Sequence, residues 1–320
     1  MTRFIVRRLV GMVAVLFAVS VIVFVVFMVL PKQNPAQSLA GKNATPLLVK
    51  NIEAEWGFDD SLPQQYLTMM KKVFTGELIQ YEPRIPVDDR IVEGIPATFS
   101  LAIGAAIIWL FFGLLLGYLS AIRAGGWLDR ILTGFSIAGI SIPVFFLGPV
   151  LIYFFSNKFE IFPNGQYVPF SEDPTEWLKH LILPWFTLAV LSIGFYSRVL
   201  RSNMLDVMNE DYVRTARAKG LSERQVMTRH VLRNSLIPVI TLFGLDFGAT
   251  IAGTAIITEA IFSIDGVGNY AAEAVAKFEL PPIMGVALYG AFFVVLLNTI
   301  VDVVYAYLDP RVRLGESASE

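Results

Sequence analysis

The sequence predicts an all-α membrane protein with six transmembrane helices and both termini on the cytoplasmic side. Three observations carry that expectation. Hydrophobic residues make up 55% of the 320-residue chain and charged residues only 16%, against about 25% charged in a typical soluble domain. Mean hydropathy is +0.61. Apolar residues gather into runs long enough to cross a ~30 Å hydrocarbon core, which takes about 20 helical residues, and Lys and Arg gather in alternate connections between those runs.

The runs occupy residues 9–30, 97–122, 131–157, 181–197, 236–258 and 281–308. The first follows Arg3, Arg7 and Arg8 and at first sight resembles a secretory signal. A signal core is about 7–15 residues long and ends at a small-residue cleavage site. This run continues to Pro31 and Lys32 without such a site, so it reads as a retained helix. The fourth run is the shortest, and the fifth and sixth carry one acid each, Asp246 and Asp302. Pro143, Pro149 and Pro184 lie inside or at the start of spans and predict kinks, tolerable where neighbouring groups satisfy the freed carbonyls.

Orientation follows from the flanks. Arg3, Arg7 and Arg8 precede the first span, Arg123 and Arg130 separate the second from the third, and Arg311 and Arg313 follow the sixth. The connection between the fourth and fifth spans is richest, with Arg198, Arg201, Arg214, Arg217, Lys219, Arg224, Arg229 and Arg233. Opposite connections are acidic or mixed: Glu160, Glu172, Asp173 and Glu176 in one, Asp265, Glu273 and Glu279 in another. Six spans with both ends inside satisfy every loop. The organisation is then an amino terminus and first span (1–30), an external, partly helical loop (31–96), a five-helix core (97–308) with a cytoplasmic loop at 198–235, and a tail (309–320). In the external loop, helical patterning at 62–78 and the aromatics Trp56, Tyr66 and Phe74 are available for packing.

Composition narrows the chemistry. A net charge of −2 gives no basic surface for nucleic acid. Without cysteine there is neither disulfide nor thiolate chemistry. The two histidines, His180 and His230, fall on opposite sides of the membrane, so no two-His metal site forms within one chain. No G-x-x-x-x-G-K-[ST] phosphate loop occurs, so no nucleotide cofactor is expected on this chain.

The 198–235 loop is the most informative stretch. Asn209, Glu210 and Asp211 form an acidic helix start, favourable at the positive end of the helix dipole. Met204, Met208, Tyr212 and Ala216 recur every four residues as an apolar stripe, with Arg214, Arg217 and Lys219 on other faces. Gly220 suits the position just past a helix end, and Ser222 with Gln225 forms a capping box for the next helix. The expected product is a helix–Gly–helix elbow leading to Pro238. An exposed apolar stripe with a basic rim fits either lipid headgroups or a groove on a partner.

Residues 211–220 (DYVRTARAKG) and 229–238 (RHVLRNSLIP) resemble the EAA loop of binding-protein-dependent ABC permeases, and more narrowly the dipeptide/oligopeptide/nickel branch. Ala216, Gly220 and Leu232 match the general pattern at its spacing, whereas Arg214, Thr215, His230 and Arg233 depart from it in the manner of that branch. The Arg-Arg-Leu before the first span and residues 57–66 (GFDDSLPQQY), 95–98 (IPAT), 258–263 (TEAIFS), 266–268 (GVG) and 302–311 (DVVYAYLDPR) are also similar to it, in order along nearly the whole chain. The resemblance implies a type I importer permease that carries peptides. It also implies pairing with a second homologous permease, two cytoplasmic ATPases that hold ATP and Mg, and an extracytoplasmic solute-binding protein, all in a bacterial or archaeal cell membrane. The elbow would be the coupling helix, with Gly220 at its turn, Tyr212 and Ala216 as buried contacts, and Arg214, Thr215, Arg217 and Lys219 around them.

Ionisable groups at span depth are functional candidates by default. Asp246, between Gly244 and Gly248, either serves the path, by contacting cationic substrate or lining a wet vestibule, or packs against a partner hydroxyl. Glu259, at the outer end of span five, is expected to face the external binding protein or a gate. Asp302 is expected to pair with Arg311, a structural bridge near the cytoplasmic end. The small residues Gly244, Gly248, Ala249, Ala252, Gly253 and Ala255 allow close helix approach at a subunit interface or around a pore. A secondary transporter, an importer of nickel or another small solute, a membrane enzyme and an exporter half are the competing readings. No internal repeat and no His/Glu or Asp/Asp catalytic pairing supports them.

Overall fold

A computed structural model of the chain describes residues 2–30, 34–41, 45–81 and 84–308. Its regular elements are all helices apart from one short hairpin, and residues 159–173 form an irregular connection. Among the described residues five helices are long and apolar enough to cross a membrane, or six if the pair Trp127–Ser141 and Val144–Lys158, bent by 97° at its break, counts as one span. The break falls where Ile142 and Pro143 take extended backbone angles, because proline disfavours helix in the residue before it. Pro149 and Pro184, by contrast, lie inside continuous helices.

In chain order the first helix is α1 (Thr2–Phe24), extended by a wide π turn at Val25–Val29. Three short helices follow, α2 (Pro35–Ala40), α3 (Pro46–Trp56) and α4 (Leu62–Thr75), then the antiparallel strands β1 (Ile79–Tyr81) and β2 (Arg84–Pro86). Each short helix begins with proline in its first turn, where the missing N–H would have no partner. Helix α5 (Val87–Ile122) leads to the broken pair α6 (Trp127–Ser141) and α7 (Val144–Leu151), and α8 (Pro174–Met208) crosses back. The elbow contains α9 (Asp211–Ala218) and α10 (Glu223–Gln225), a π-helical segment Val226–Leu232, and then α11 (Arg233–Ala249). After a second π segment, Thr250–Thr254, come α12 (Ile256–Ile261), α13 (Val267–Lys277) and α14 (Leu280–Leu308).

The chain divides into two compact units. One contains Met1–Phe99 and Gly248–Val303. Its core gathers Val23, Phe24 and Met28 of the first helix with Leu39, Ile52, Trp56, Met69 and Met284. The outer third of the first apolar run is therefore a packing element as well as a span. Trp56 donates from Nε1 to Tyr81 Oη at 2.9 Å, and Lys72 lies over its ring while pairing with Glu55 at 2.6 Å. Truncating so large a buried ring costs about 3–5 kcal/mol. Tyr66 packs on Phe17 and Phe24, but Phe74 is 82% exposed and does not join this core. Small residues of span five serve packing within this unit: Ala252 lies against Gly290, where an added Cβ would come within 2.9 Å of the Ala252 carbonyl.

The other unit contains Ser100–Phe247 and the described residues after Val303. Here α6 and α8 pack so closely that a Cβ on Gly194 would lie 2.4 Å from the Ser136 carbonyl oxygen. On the other side of α8, Trp185 lies flat against Gly104 and donates to the Ser100 carbonyl at 2.9 Å.

Candidate functional site

The elbow forms as a separate eight-residue helix between two longer ones. Helix α8 ends at Met208, and Glu210 has extended backbone angles before α9 starts. The stripe expected over Met204, Met208, Tyr212 and Ala216 is thereby divided, because the extended residue interrupts the helical period. Met204 is buried on α8, while the buried pair on α9 is Val213 and Ala216. Glu210 occupies the N-cap without a side-chain capping bond, and Asp211 supplies the acid of the first turn. At the far end Gly220 has φ +79° with nothing within 4 Å of an added Cβ, so conformation, not crowding, calls for glycine. Ser222 and Gln225 make the expected capping box: Ser222 N donates to Gln225 Oε1 at 3.2 Å and Gln225 N to Ser222 Oγ at 3.4 Å.

Two further contacts stiffen this turn. Arg217 bridges it, donating from Nη2 and Nε to the two Glu223 carboxylate oxygens at 2.8 and 3.2 Å. That pairing holds the Arg217 pKa above its ordinary value. Asn234 Nδ2, at the start of α11, donates to Tyr212 Oη at 2.7 Å. Val213 and Ala216 face inward, and Val226, Met227 and Val231 of the following segment are also buried. Facing out are Tyr212, 42% exposed, together with Arg214, Thr215 and Lys219. Beside them opens a cavity of about 1460 Å³ bounded by Tyr212, Arg229, His230, Arg233 and Asn234. Of the seven residues expected to form the coupling surface, Ala216 is buried within the chain, and Tyr212, Arg214, Thr215 and Arg217 make hydrogen bonds inside it while staying exposed.

Asp246 is half-buried and accepts a hydrogen bond from Tyr196 Oη at 2.8 Å. The partner hydroxyl expected as one of two alternatives is therefore present. A second buried acid, Asp129 in the first turn of α6, had no sequence signal beyond a single charge beside Arg130. Arg201 grips both its oxygens, at 2.7 and 2.8 Å; Gly125 N donates to Oδ2 at 2.8 Å, and the Ser120 hydroxyl bonds Oδ1. This cluster ties the ends of α5, α6 and α8 together. Arg201 is thus more than a loop charge.

Glu259, expected to face the external binding protein or a gate, lies inside the chain. It is fully buried, its carboxylate accepting from Thr98 Oγ1 at 2.8 Å and from Asn269 N at 2.9 Å. Thr98 Oγ1 in turn accepts from Val267 N at 2.9 Å. A Cβ on Gly266 would lie 2.3 Å from Glu259 Oε2, and one on Gly268 would lie 2.8 Å from Ile256 Cα. Three separate sequence segments, at 95–98, 258–263 and 266–268, thus close on one carboxylate, which has no surface left to offer a partner. Burial pushes the Glu259 pKa up to about 7, opposed by hydrogen bonds from Asn269, Thr98 and Gly268. The pairing of Asp302 with Arg311 falls outside the described residues.

Five or six apolar helices of membrane-crossing length, with polar clusters near helix ends, mark a multi-pass membrane protein. Residues 113–314 match the family of binding-protein-dependent transport system inner membrane components, and residues 1–102 match the N-terminal part of such components. The chain belongs to this family, the membrane permeases of ABC importers. The dipeptide transport system permease protein of Bacillus subtilis is 34% identical over 317 residues, covering 98% of this chain and 99% of that one. The glutathione transport system permease protein of Escherichia coli O6:H1 is 34% identical over 314 residues, with the same coverage. A solved structure of the inward-facing MetNI methionine ABC transporter shares the fold, with a TM-score of 0.55 at 16% identity over 70% of this chain and 98% of that one.

Proposed function

We propose that this chain forms half of the translocation path of an ATP-driven importer of short peptides and that its elbow couples the path to ATP hydrolysis. The carrying observation is the construction of α9. Its inner residues, Val213 and Ala216, are packed within the chain, Arg217 is clamped to Glu223, and Tyr212 is tied to Asn234 at the head of α11. A helix fixed in this way transmits a push to α11 instead of absorbing it. Tyr212, Arg214, Thr215 and Lys219 form the face that enters a groove on a cytoplasmic ATPase. The ATPases hold ATP and Mg; this chain is the non-catalytic subunit and binds neither.

The remaining partners are a second homologous permease, in a heterodimer, and an extracytoplasmic solute-binding protein, assembled in the bacterial or archaeal plasma membrane. Two relatives named for dipeptide and glutathione transport support peptides as the substrate class. Asp246, with its carboxylate positioned by Tyr196, is the candidate polar group along the path. The test is uptake by the whole complex in proteoliposomes carrying Tyr212→Ala with Arg214→Glu. At least a tenfold loss of peptide uptake is expected, with normal membrane insertion and with basal ATPase no longer stimulated by loaded binding protein. Undiminished uptake overturns the coupling assignment.

A further inference from the structure

The unit containing the first helix has an apolar cleft of about 290 Å³ between α1, α4, the start of α5 and α14, lined by Leu16, Ser20, Val73, Phe74, Leu288 and Tyr289 among others. An apolar cavity of about 150 Å³ already takes benzene, so this one has room for a length of hydrocarbon chain. Its walls offer water little. The Ser20 hydroxyl is spent on Tyr66 Oη at 2.7 Å and on the Phe17 carbonyl at 2.8 Å. The Tyr289 hydroxyl is buried without a partner among the described residues, a single donor in an oily wall.

Depth along the helices tells what enters. On α1 the exposed residues are apolar on both sides of Ser20, with Val10, Val13 and Phe17 before it and Ile22 and Val26 after it, whereas Ser20, Val23, Phe24 and Met28 are buried. On α5, Asp88, Asp89, Arg90 and Glu93 give way from Ile95 onward to an uncharged run. Helix α5 therefore passes from a polar region into the hydrocarbon region beside the cleft, while on α1 the cleft lies within the apolar run. Helix α4 fits that level: Leu67, Lys71 and Phe74 are exposed along one face, while Gln65, Met69 and Lys72 are buried on the other. A helix with apolar residues and a lysine on its exposed face belongs in the interface plane of a bilayer. Leu16 of α1, half-buried and next to the exposed Phe17, lines the cleft.

We propose that the cleft binds one acyl chain of a phospholipid from the outer leaflet, with α4 lying beside the headgroup as its rim. Asp88, at the mouth, marks where the polar end of the lipid begins.

The intact transporter in nanodiscs, doped with phosphatidylcholine carrying a diazirine in its acyl chain, tests this by photolabelling and peptide mapping. The expected result is labelling of Met70, Val73 or Leu288, on cleft-facing surfaces that bulk lipid does not reach. Val73→Trp, which fills the cleft from a helix outside the spans, should lower that labelling at least fivefold and leave α1 labelling at Val13 and Phe17 unchanged. Labelling confined to α1 and other lipid-facing helices overturns the proposal. So does loss of cleft labelling on adding an apolar transported peptide, since the cleft would then belong to substrate. If Val73→Trp perturbs α1 labelling as well, Leu288→Phe replaces it, with the same readouts.

Discussion

Arg201 holds Asp129 by two parallel hydrogen bonds, Nε to Oδ1 at 2.7 Å and Nη2 to Oδ2 at 2.8 Å, so one residue of α8 fixes the start of α6. The acid is almost fully buried and the arginine about one-third exposed. Such a pair is a weak source of net stability, but removing one partner strands a buried charge. Asp129→Asn or Arg201→Met should each cost about 2–4 kcal/mol, and the double variant clearly less than the sum. Thermal unfolding of the detergent-solubilised chain measures both singles and the coupling. Additive losses would mean the pair acts as two independent residues.

Glu259 supplies the pH-sensitive element. Its folded pKa of about 7 lies above the unfolded value of 4.5, so the folded state binds the extra proton between them. Stability then falls as pH rises from about 4.5 to about 7, by at most about 3 kcal/mol. Glu259→Gln should flatten that slope in unfolding scans at pH 5 and pH 8, because an amide retains acceptor capacity without a charge. An unchanged slope would place the titrating group elsewhere.

The glycines of the same knot make a sharper contrast. Gly266→Ala would place a methyl 2.3 Å from Glu259 Oε2 and 2.7 Å from Thr98 Oγ1, whereas Gly134→Ala on α6 meets nothing within 4 Å. The first should abolish recovery of folded protein. The second should be neutral or stabilising by up to about 1 kcal/mol, the helix preference of alanine over glycine. Size-exclusion recovery and Tm of the two variants decide it.

At the elbow, Gly220→Ala should cost about 1–2 kcal/mol locally from the left-handed conformation, and Gly220→Pro cannot adopt φ +79° at all. Transport by the proline variant should fall further than membrane abundance, read by immunoblot beside peptide uptake. Ala216→Arg probes something different, since Ala216 is buried inside the chain and a charge there breaks the elbow itself.

Much of this protein was legible in its sequence because the bilayer imposes length and charge rules that single segments must obey. Six apolar runs, the Lys and Arg bias, the capping box at Ser222 and the glycine at 220 are local signals, and each has a local physical cause. The conformation of Gly220 follows from its place past a helix end, whatever surrounds it.

Tertiary structure decided the partners. Asp129 and Arg201 lie 72 residues apart, and Thr98 and Glu259 lie 161 apart, so no window of sequence pairs them. Glu259, expected to face the binding protein or a gate, is enclosed within the chain because Thr98, from far along the sequence, and the backbone at 268–269 supply donors that satisfy it there. The stripe through Met204 and Tyr212 kept its period in sequence but lost its common face when Glu210 left the helix. Period and charge are properties of a segment, and the sequence by itself determined those. Which polar group finds which donor is a property of packing, where burial is tolerated only when a partner from elsewhere in the chain is already in place.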